Sequence, residues 1–317
     1  MLATLTEHYF SDPSWIFERK LDGERCLAFR RGGEVRLLSR SQQRLNNTYP
    51  EIVEGLARPW PAGPGTSGQD MPDVVVDGEV VAFEGSRTSF ERLQQRLGIT
   101  RPEEARRSPV AVYYYIFDLL YLDGYDTTAL GLRDRKMLLR RALPFQGALR
   151  FTPHRNEEGE AYFQFACAHG WEGLVAKRAG STYVSRRSPD WLKFKCSLGQ
   201  EFVIGGYTDP AGSRIGLGAL LVGYYEGGDL VYAGKVGTGF SNATLQALRQ
   251  KLGTLRTAGS PFTRGRTTER GAHWVRPELV ADVVFSEWTT DGKLRHPRFE
   301  GLRTDKAAGE VQRERPA

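Results

Sequence analysis

IFERKLDGERCLAFRR, residues 16–31, is the stretch on which the reading of this chain turns. A short apolar run ends at Phe17, a lysine follows at Lys20, and Asp22-Gly23 leads into a second strand-like run over 25–31. This spacing places the Lys20 amine on a turn between strands rather than along an exposed helix. An amine there is a candidate nucleophile, since neighbouring cations such as Arg25, a bound metal and exclusion of water all favour its neutral form. Gly23 allows the backbone to approach a ligand closely, and Arg25 offers a planar fork of donors suited to phosphate. Gly32-Gly33 then closes a tight hairpin onto a partner strand at 34–39, so the architecture around Lys20 is antiparallel.

Beyond the hairpin, Arg40 and Arg44 flank a polar loop, 49–56 reads as a short helix, and 58–72 is a Pro- and Gly-rich surface loop. VVVDGEVVAF at 74–83 is a buried strand interrupted by Asp77 and Glu79, and an acidic pair inside an apolar run marks a site. A helix is expected over 89–97, a charged loop over 101–109, and a central strand over 110–122, where β-branched and aromatic residues run without a break. Helices at 130–143 and 159–169 follow, the second leading into Glu172-Gly173 and a strand at 174–177. In WLKFKC, 191–196, Lys193 and Lys195 share one face of a strand while Leu192 and Phe194 share the other. Two lysines on one face repel unless an anion lies between them.

From residue 201 the chain becomes short strands with glycine turns and a single helix at 242–252, the requirement of a small Greek-key barrel of the oligonucleotide-binding (OB) type. An SH3-like barrel would not include that helix. The fold class is therefore α+β in two domains: an antiparallel-sheet domain at 1–199, and an OB barrel at 200–317 whose last dozen residues form a disordered polar tail. The 317 residues are ample for two cores. Cys26, Cys167 and Cys196 are odd in number and widely spaced, which argues against a zinc site and a disulfide framework and for reduced core residues. No segment has the pattern of a signal peptide or the length to cross a bilayer, so a soluble cytoplasmic monomer is expected. A formal charge of +6, with arginines recurring in loops, suits a polyanionic partner better than a membrane.

In order, the chain presents KLDGER at 20–25, SR at 39–40, DGE at 77–79, YIFD at 115–118, EG at 172–173, KFK at 193–195 and RTDK at 303–306. That series resembles the covalent nucleotidyltransferase superfamily of ATP-dependent DNA ligases, RNA ligases and messenger-RNA capping enzymes. EWTTDGKLRHPRFEGLRTDK at 287–306, with the opening residues, looks most like the ligase module of bacterial ligase D, the end-joining ligase. No polymerase or phosphoesterase module is recognisable in these 317 residues, so sealing rather than end processing is the expectation. It also lacks the zinc module and extra N-terminal domain of NAD-dependent ligases, which favours ATP.

The resemblance implies that Lys20 attacks the α-phosphate of ATP to form a lysyl–AMP phosphoramidate, with Asp22 beside it. The adenylate then passes to a DNA 5′-phosphate, and a 3′-hydroxyl displaces AMP. Glu172, with Glu79 second, would hold magnesium or manganese; Glu79 would also bond the ribose. Phe117 would stack on adenine while Glu18 and Arg19 read its edge. Lys193 and Lys195 would contact the α-phosphate, and Arg303, Asp305 and Lys306 would orient pyrophosphate when the barrel closes. Arg25, Arg40 and Arg44 would meet DNA, the first two also lying near the nucleotide. Implied partners are nicked or broken duplex DNA, the end-binding protein Ku and a separate end-processing polymerase. An RNA ligase or capping enzyme, and a non-catalytic OB-type binding protein, remain alternatives.

Overall fold

The β-branched and aromatic runs of the first two thirds of the chain fold as two sheets, each with one face buried under helices. The structure, a computed structural model, describes residues 1–58, 72–210, 212, 215–265, 267, 269 and 271–315. Two compact units divide the chain, Met1–Cys196 and Ser197–Glu314. The first unit opens with β1 (Leu2–Leu5), β2 (Trp15–Arg19), β3 (Glu24–Arg31), β4 (Glu34–Ser39), α1 (Pro50–Ala57) and β5 (Val74–Glu84). It continues with β6 (Arg87–Thr88), α2 (Phe90–Gln94), α3 (Pro102–Arg107), β7 (Val112–Leu122), β8 (Tyr125–Asp126) and α4 (Leu132–Ala142). Last come β9 (Leu149–Phe151), β10 (His154–Asn156), α5 (Gly159–Ala168), β11 (Gly173–Arg178) and β12 (Arg187–Lys195).

One sheet runs β1-β12-β11-β2-β10, and the other β4-β3-β5-β7-β8, with β6 on β5 and β9 on β7. The pairs are antiparallel except β1 with β12 and β7 with β9, two parallel joins that the hairpin signals did not announce. Alternation along each strand sorts the residues. Phe17, Leu174, Ala176 and Phe194 pack with Tyr162 and Ala166 of α5, while Ala28, Val76, Tyr114 and Ile116 pack with Ile52 and Leu56 of α1 and Phe90 and Leu93 of α2. The opposite faces of the two sheets meet each other around Phe117 and Trp191, whose ring centroids are 5.9 Å apart.

The second unit comprises β13 (Leu198–Thr208), β14 (Leu220–Glu226), β15 (Asp229–Val236), α6 (Asn242–Gly253), β16 (Ala272–Trp274), β17 (Val280–Phe285), β18 (Glu287–Trp288), β19 (Leu294–Arg295) and β20 (Arg298–Arg303). Its sheet is ordered β15-β14-β13-β17-β20. A parallel bridge from Thr238, just past β15, to Arg298 at the start of β20 joins the two ends. Three strands, a helix, two strands and that parallel closure make the OB barrel. Ser241 caps α6 by accepting from the Thr244 amide at 3.1 Å.

Three expectations are corrected. Residues 102–107 are helical, since Pro102 opens the turn with Glu103 and Glu104 at its positive end and Arg106 and Arg107 at its negative end. Cys167 and Cys196 form a disulfide with a Cα–Cα distance of 5.3 Å. Their separation of 29 residues hid that α5 and β12 end side by side; Cys26 is the buried free thiol expected. The C-terminal residues through Arg315 are not a loose tail. Val311 is fully buried and accepts from the Tyr225 amide at 2.7 Å, and the Arg313 guanidinium lies 4.1 Å from the Trp288 ring centroid. The Pro- and Gly-rich loop expected over 58–72 lies, between 59 and 71, outside the described residues.

Candidate active site

Because helices cover one face of each sheet, the side chains that alternate away from them line a shared cleft. From the first sheet these are Glu18, Val175, Lys177, Trp191, Lys193 and Lys195; from the second, Arg25, Asp77, Glu79, Tyr115 and Phe117. The register of β5 against β7 slips between Asp77 and Gly78, so that Asp77 faces Asp118 and Gly78 faces Ile116. Phe117 is the extra residue of that bulge, a device that re-aims a side chain.

Lys20 follows β2 directly, on the turn expected. Its amide donates to the Gly173 carbonyl at 2.9 Å, and its ammonium lies 2.7 Å from the Glu172 carboxylate. Gly173 cannot be replaced here. Its φ is +145°, and a Cβ would stand 1.9 Å from the Phe194 carbonyl oxygen. Gly23 serves a different end from the one expected: the space of its missing side chain is filled by the Val80 carbonyl, 2.1 Å from where a Cβ would sit, so the close approach is of β5 rather than a ligand.

Electrostatically, Lys20 is the reverse of a pre-neutralised amine. Burial lowers its pKa, but the Glu172 carboxylate more than restores it, with Asp22 and Glu79 adding to the effect, and the group is held as ammonium. Arg25 does not act as the neighbouring cation expected, because both arms of its fork go to Asp77 at 2.5 Å. Asp77 is fully buried and also accepts from the Tyr183 hydroxyl at 2.8 Å. Thus the guanidinium, 4.7 Å from the Phe117 ring centroid, is anchored as a support for that ring. Asp22 accepts from the Phe90 amide at 3.1 Å, fixing the turn that follows Lys20.

Two lysines that the sequence reading did not assign to the site hold Glu18. Glu18, 2% exposed, takes Lys136 on one carboxylate oxygen and Lys177 on the other, the second at 2.5 Å. Lys177 also sits 3.9 Å from the Trp191 ring centroid and 4.2 Å from that of Phe117. Arg19 stacks on Trp171, 4.4 Å from its centroid. A signal existed for Lys136: with Arg135 it occupies the buried stripe of α4 that carries Leu132 and Leu139, where a cation needs a partner.

Arg40 and Arg44 are exposed beyond β4, Arg44 lining a recess of about 690 Å³ with Arg31, Arg36, Glu34 and Asp73. Arg303, Asp305 and Lys306 belong to the second unit, where Arg303 is held by Asp305 at 2.7 Å and Lys306 by Glu201 at 3.0 Å. A divalent cation would find oxygen ligands in Glu172 and Glu79. Among the described residues no cluster of three or more acidic, histidine or cysteine side chains forms an all-protein cage. Two carboxylates suit an ion that keeps waters and phosphate oxygens in its shell.

The ATP dependent DNA ligase domain family matches residues 1–195, and the ATP dependent DNA ligase C terminal region matches 213–306. The multifunctional non-homologous end joining protein LigD of Pseudomonas aeruginosa is 39% identical over 311 residues, covering 96% of this chain and 35% of LigD. LigD of Mycobacterium tuberculosis is 39% identical over 309 residues, 95% of this chain and 37% of the relative. The chain thus spans little more than a third of the length of these relatives. A solved structure of mycobacterial DNA ligase D complexed with ATP and MES matches with a TM-score of 0.63 and 34% identity, covering 99% of this chain and 98% of that one. With a family match over more than half its length and those relatives, the chain belongs to the ATP-dependent DNA ligase family.

Proposed function

We propose that this chain seals 3′-hydroxyl/5′-phosphate breaks in duplex DNA at the expense of ATP, through lysyl–AMP and DNA–adenylate, in repair by non-homologous end joining. The observation that carries the reading is Lys20 on a hydrogen-bonded turn, 2.7 Å from Glu172 and at the edge of the cleft that the Lys193 and Lys195 row lines. A nucleophilic amine, an acid that governs its charge, and a cationic row for phosphate oxygens are the groups that nucleotidyl transfer needs.

Phe117, stiffened by Arg25 from the Asp77 anchor, offers its ring to adenine, and Glu18 offers an acceptor to the base edge. Glu79 meets the ribose. Lys193 and Lys195 neutralise the α-phosphate, which Lys20, its proton given up to solvent, attacks as the neutral amine with pyrophosphate leaving; Arg303, Asp305 and Lys306 orient that leaving group. Glu172 and Glu79 would hold a divalent cation; with Glu172 so engaged, Lys20 would lose the partner that keeps it charged, and the cation would supply charge neutralisation at phosphate oxygens. In the later steps the same pocket passes AMP to the DNA 5′-phosphate and releases it on attack by the 3′-hydroxyl. Arg40 and the Arg31, Arg36 and Arg44 recess meet DNA phosphates, so binding weakens steeply with salt. Ku and an end-processing polymerase are the proposed partners at a broken end.

The test is sealing of a nicked duplex labelled at its 5′-phosphate, with ATP and magnesium. Sealed product from the unaltered chain and none from Lys20→Ala is expected. Equal sealing by both would overturn the reading.

A further inference from the structure

Lys136, Glu18 and Lys177 form a three-charge cluster in which each side chain is 2% exposed. One lysine would suffice to neutralise one carboxylate, and burying a second cation is costly unless it has work to do. The two lysines are not equivalent. Lys136, on α4, donates to Glu18 and to the Thr152 carbonyl at 2.9 Å, with the Phe151 ring centroid 4.6 Å away. Besides Glu18, its contacts are with Phe151 at the end of β9 and Thr152 just beyond it. Lys177, on β11, spends one hydrogen bond on Glu18 and lies against the rings of Phe117 and Trp191, in the cleft itself.

We propose that Lys136 is a positioning residue for base selection: from behind the cleft it keeps the Glu18 carboxylate ionised and fixed, so that beside Phe117 the site presents an obligatory hydrogen-bond acceptor. This deepens the reading of the cleft as an ATP site and rests on it. An ionised carboxylate accepts only. A purine with a 6-amino donor satisfies it, whereas a 6-oxo purine sets one acceptor against another and a purine with no 6-substituent leaves it unanswered. Without Lys136, only Lys177 would compensate Glu18; the carboxyl would be freer to turn or to take a proton, after which it could donate as well as accept. The charges agree with this division. Burial pushes the Glu18 pKa up and the two lysines pull it below the ordinary carboxylate value, while burial brings Lys177 down to about 8.

The experiment is equilibrium binding, by calorimetry on the full chain without added DNA, of ATP and of purine riboside 5′-triphosphate, which lacks only the 6-amino group. Wild type and Lys136→Arg should prefer ATP by about tenfold or more, the worth of one hydrogen bond to a charged acceptor. Lys136→Gln should narrow that ratio to about twofold, mainly by weakening ATP, while a merely structural lesion would weaken both nucleotides alike. An unchanged ratio in a folded Lys136→Gln variant would overturn the proposal and leave the ATP site standing. Equal binding of the two nucleotides by wild type would overturn it without any variant. Binding of neither by wild type would remove the ATP site as well.

Discussion

Replacing Glu172 by Gln should make Lys20 chemically more reactive while making it a poorer acceptor of AMP. The two side chains are 20% and 31% exposed and 2.7 Å apart. Two unit charges about 2.7 Å apart interact by about 6 kcal/mol at an effective dielectric near 20. Cutting that to about a third for the solvent reaching both groups leaves about 2 kcal/mol, or about a thirtyfold change in the neutral fraction of the amine. The sign follows from the cause. The carboxylate raises the Lys20 pKa, so its loss lets burial lower it, and at any pH below that pKa more of the amine is neutral. The assay is labelling of Lys20 by a small acylating reagent in the presence of a chelator, followed by peptide mass spectrometry over pH 7–9. About thirtyfold faster labelling at pH 8 in Glu172→Gln is expected, together with slower adenylylation by ATP and magnesium. Labelling no faster than in wild type would refute the claim that Glu172 controls the charge of Lys20.

Other perturbations follow from buried pairs. Arg135 and Asp118 are both fully buried and joined at 2.7 Å and 2.9 Å, so Arg135→Met, which strands the carboxylate, should lower the unfolding free energy by about 3–5 kcal/mol in urea titration. A loss below about 1 kcal/mol would contradict that burial. Cys196→Ser opens a loop of separation 29 and should cost about 3.6 kcal/mol by the same titration under oxidising conditions, with no difference from wild type once both are reduced. Asp77 is pushed up by burial and pulled below its ordinary 3.8 by Arg25, so this contribution is complete above about pH 4 and is lost as pH falls through the depressed value. Arg25→Met should therefore lower stability at neutral pH and flatten its dependence on pH below about 4, read as melting temperature against pH; a parallel acid limb would count against the pairing.

Periodicity carried most of the fold. Alternation in 191–196 placed Lys193 and Lys195 opposite Phe194, and the shift to short glycine-bounded strands after residue 201 marked the barrel with its one helix. What stayed hidden depends on pairing between distant segments. No local pattern says that Leu2–Leu5 will lie parallel to Arg187–Lys195, or that Cys167 and Cys196 end side by side. The same holds at the site. Lys20 was legible from its turn, yet the partners that set its charge and that of Glu18 come from residues 118–159 positions away, on α4 and on the segment from Glu172 to Lys177. Arg25 and Gly23 were legible as unusual, but the pairing of Arg25 with Asp77 and the packing of the Val80 carbonyl against Gly23, both on β5, were not.

The central claim is that Lys20 carries AMP, and the intact mass of the chain tests it most directly. Protein first treated with pyrophosphate to strip any bound adenylate is incubated with ATP and magnesium and weighed, then weighed again after fresh pyrophosphate. A gain of one AMP that pyrophosphate reverses, that maps to Lys20 and that is absent in Lys20→Ala is the predicted result. A stable gain in Lys20→Ala, or none in the unaltered chain, would contradict the account.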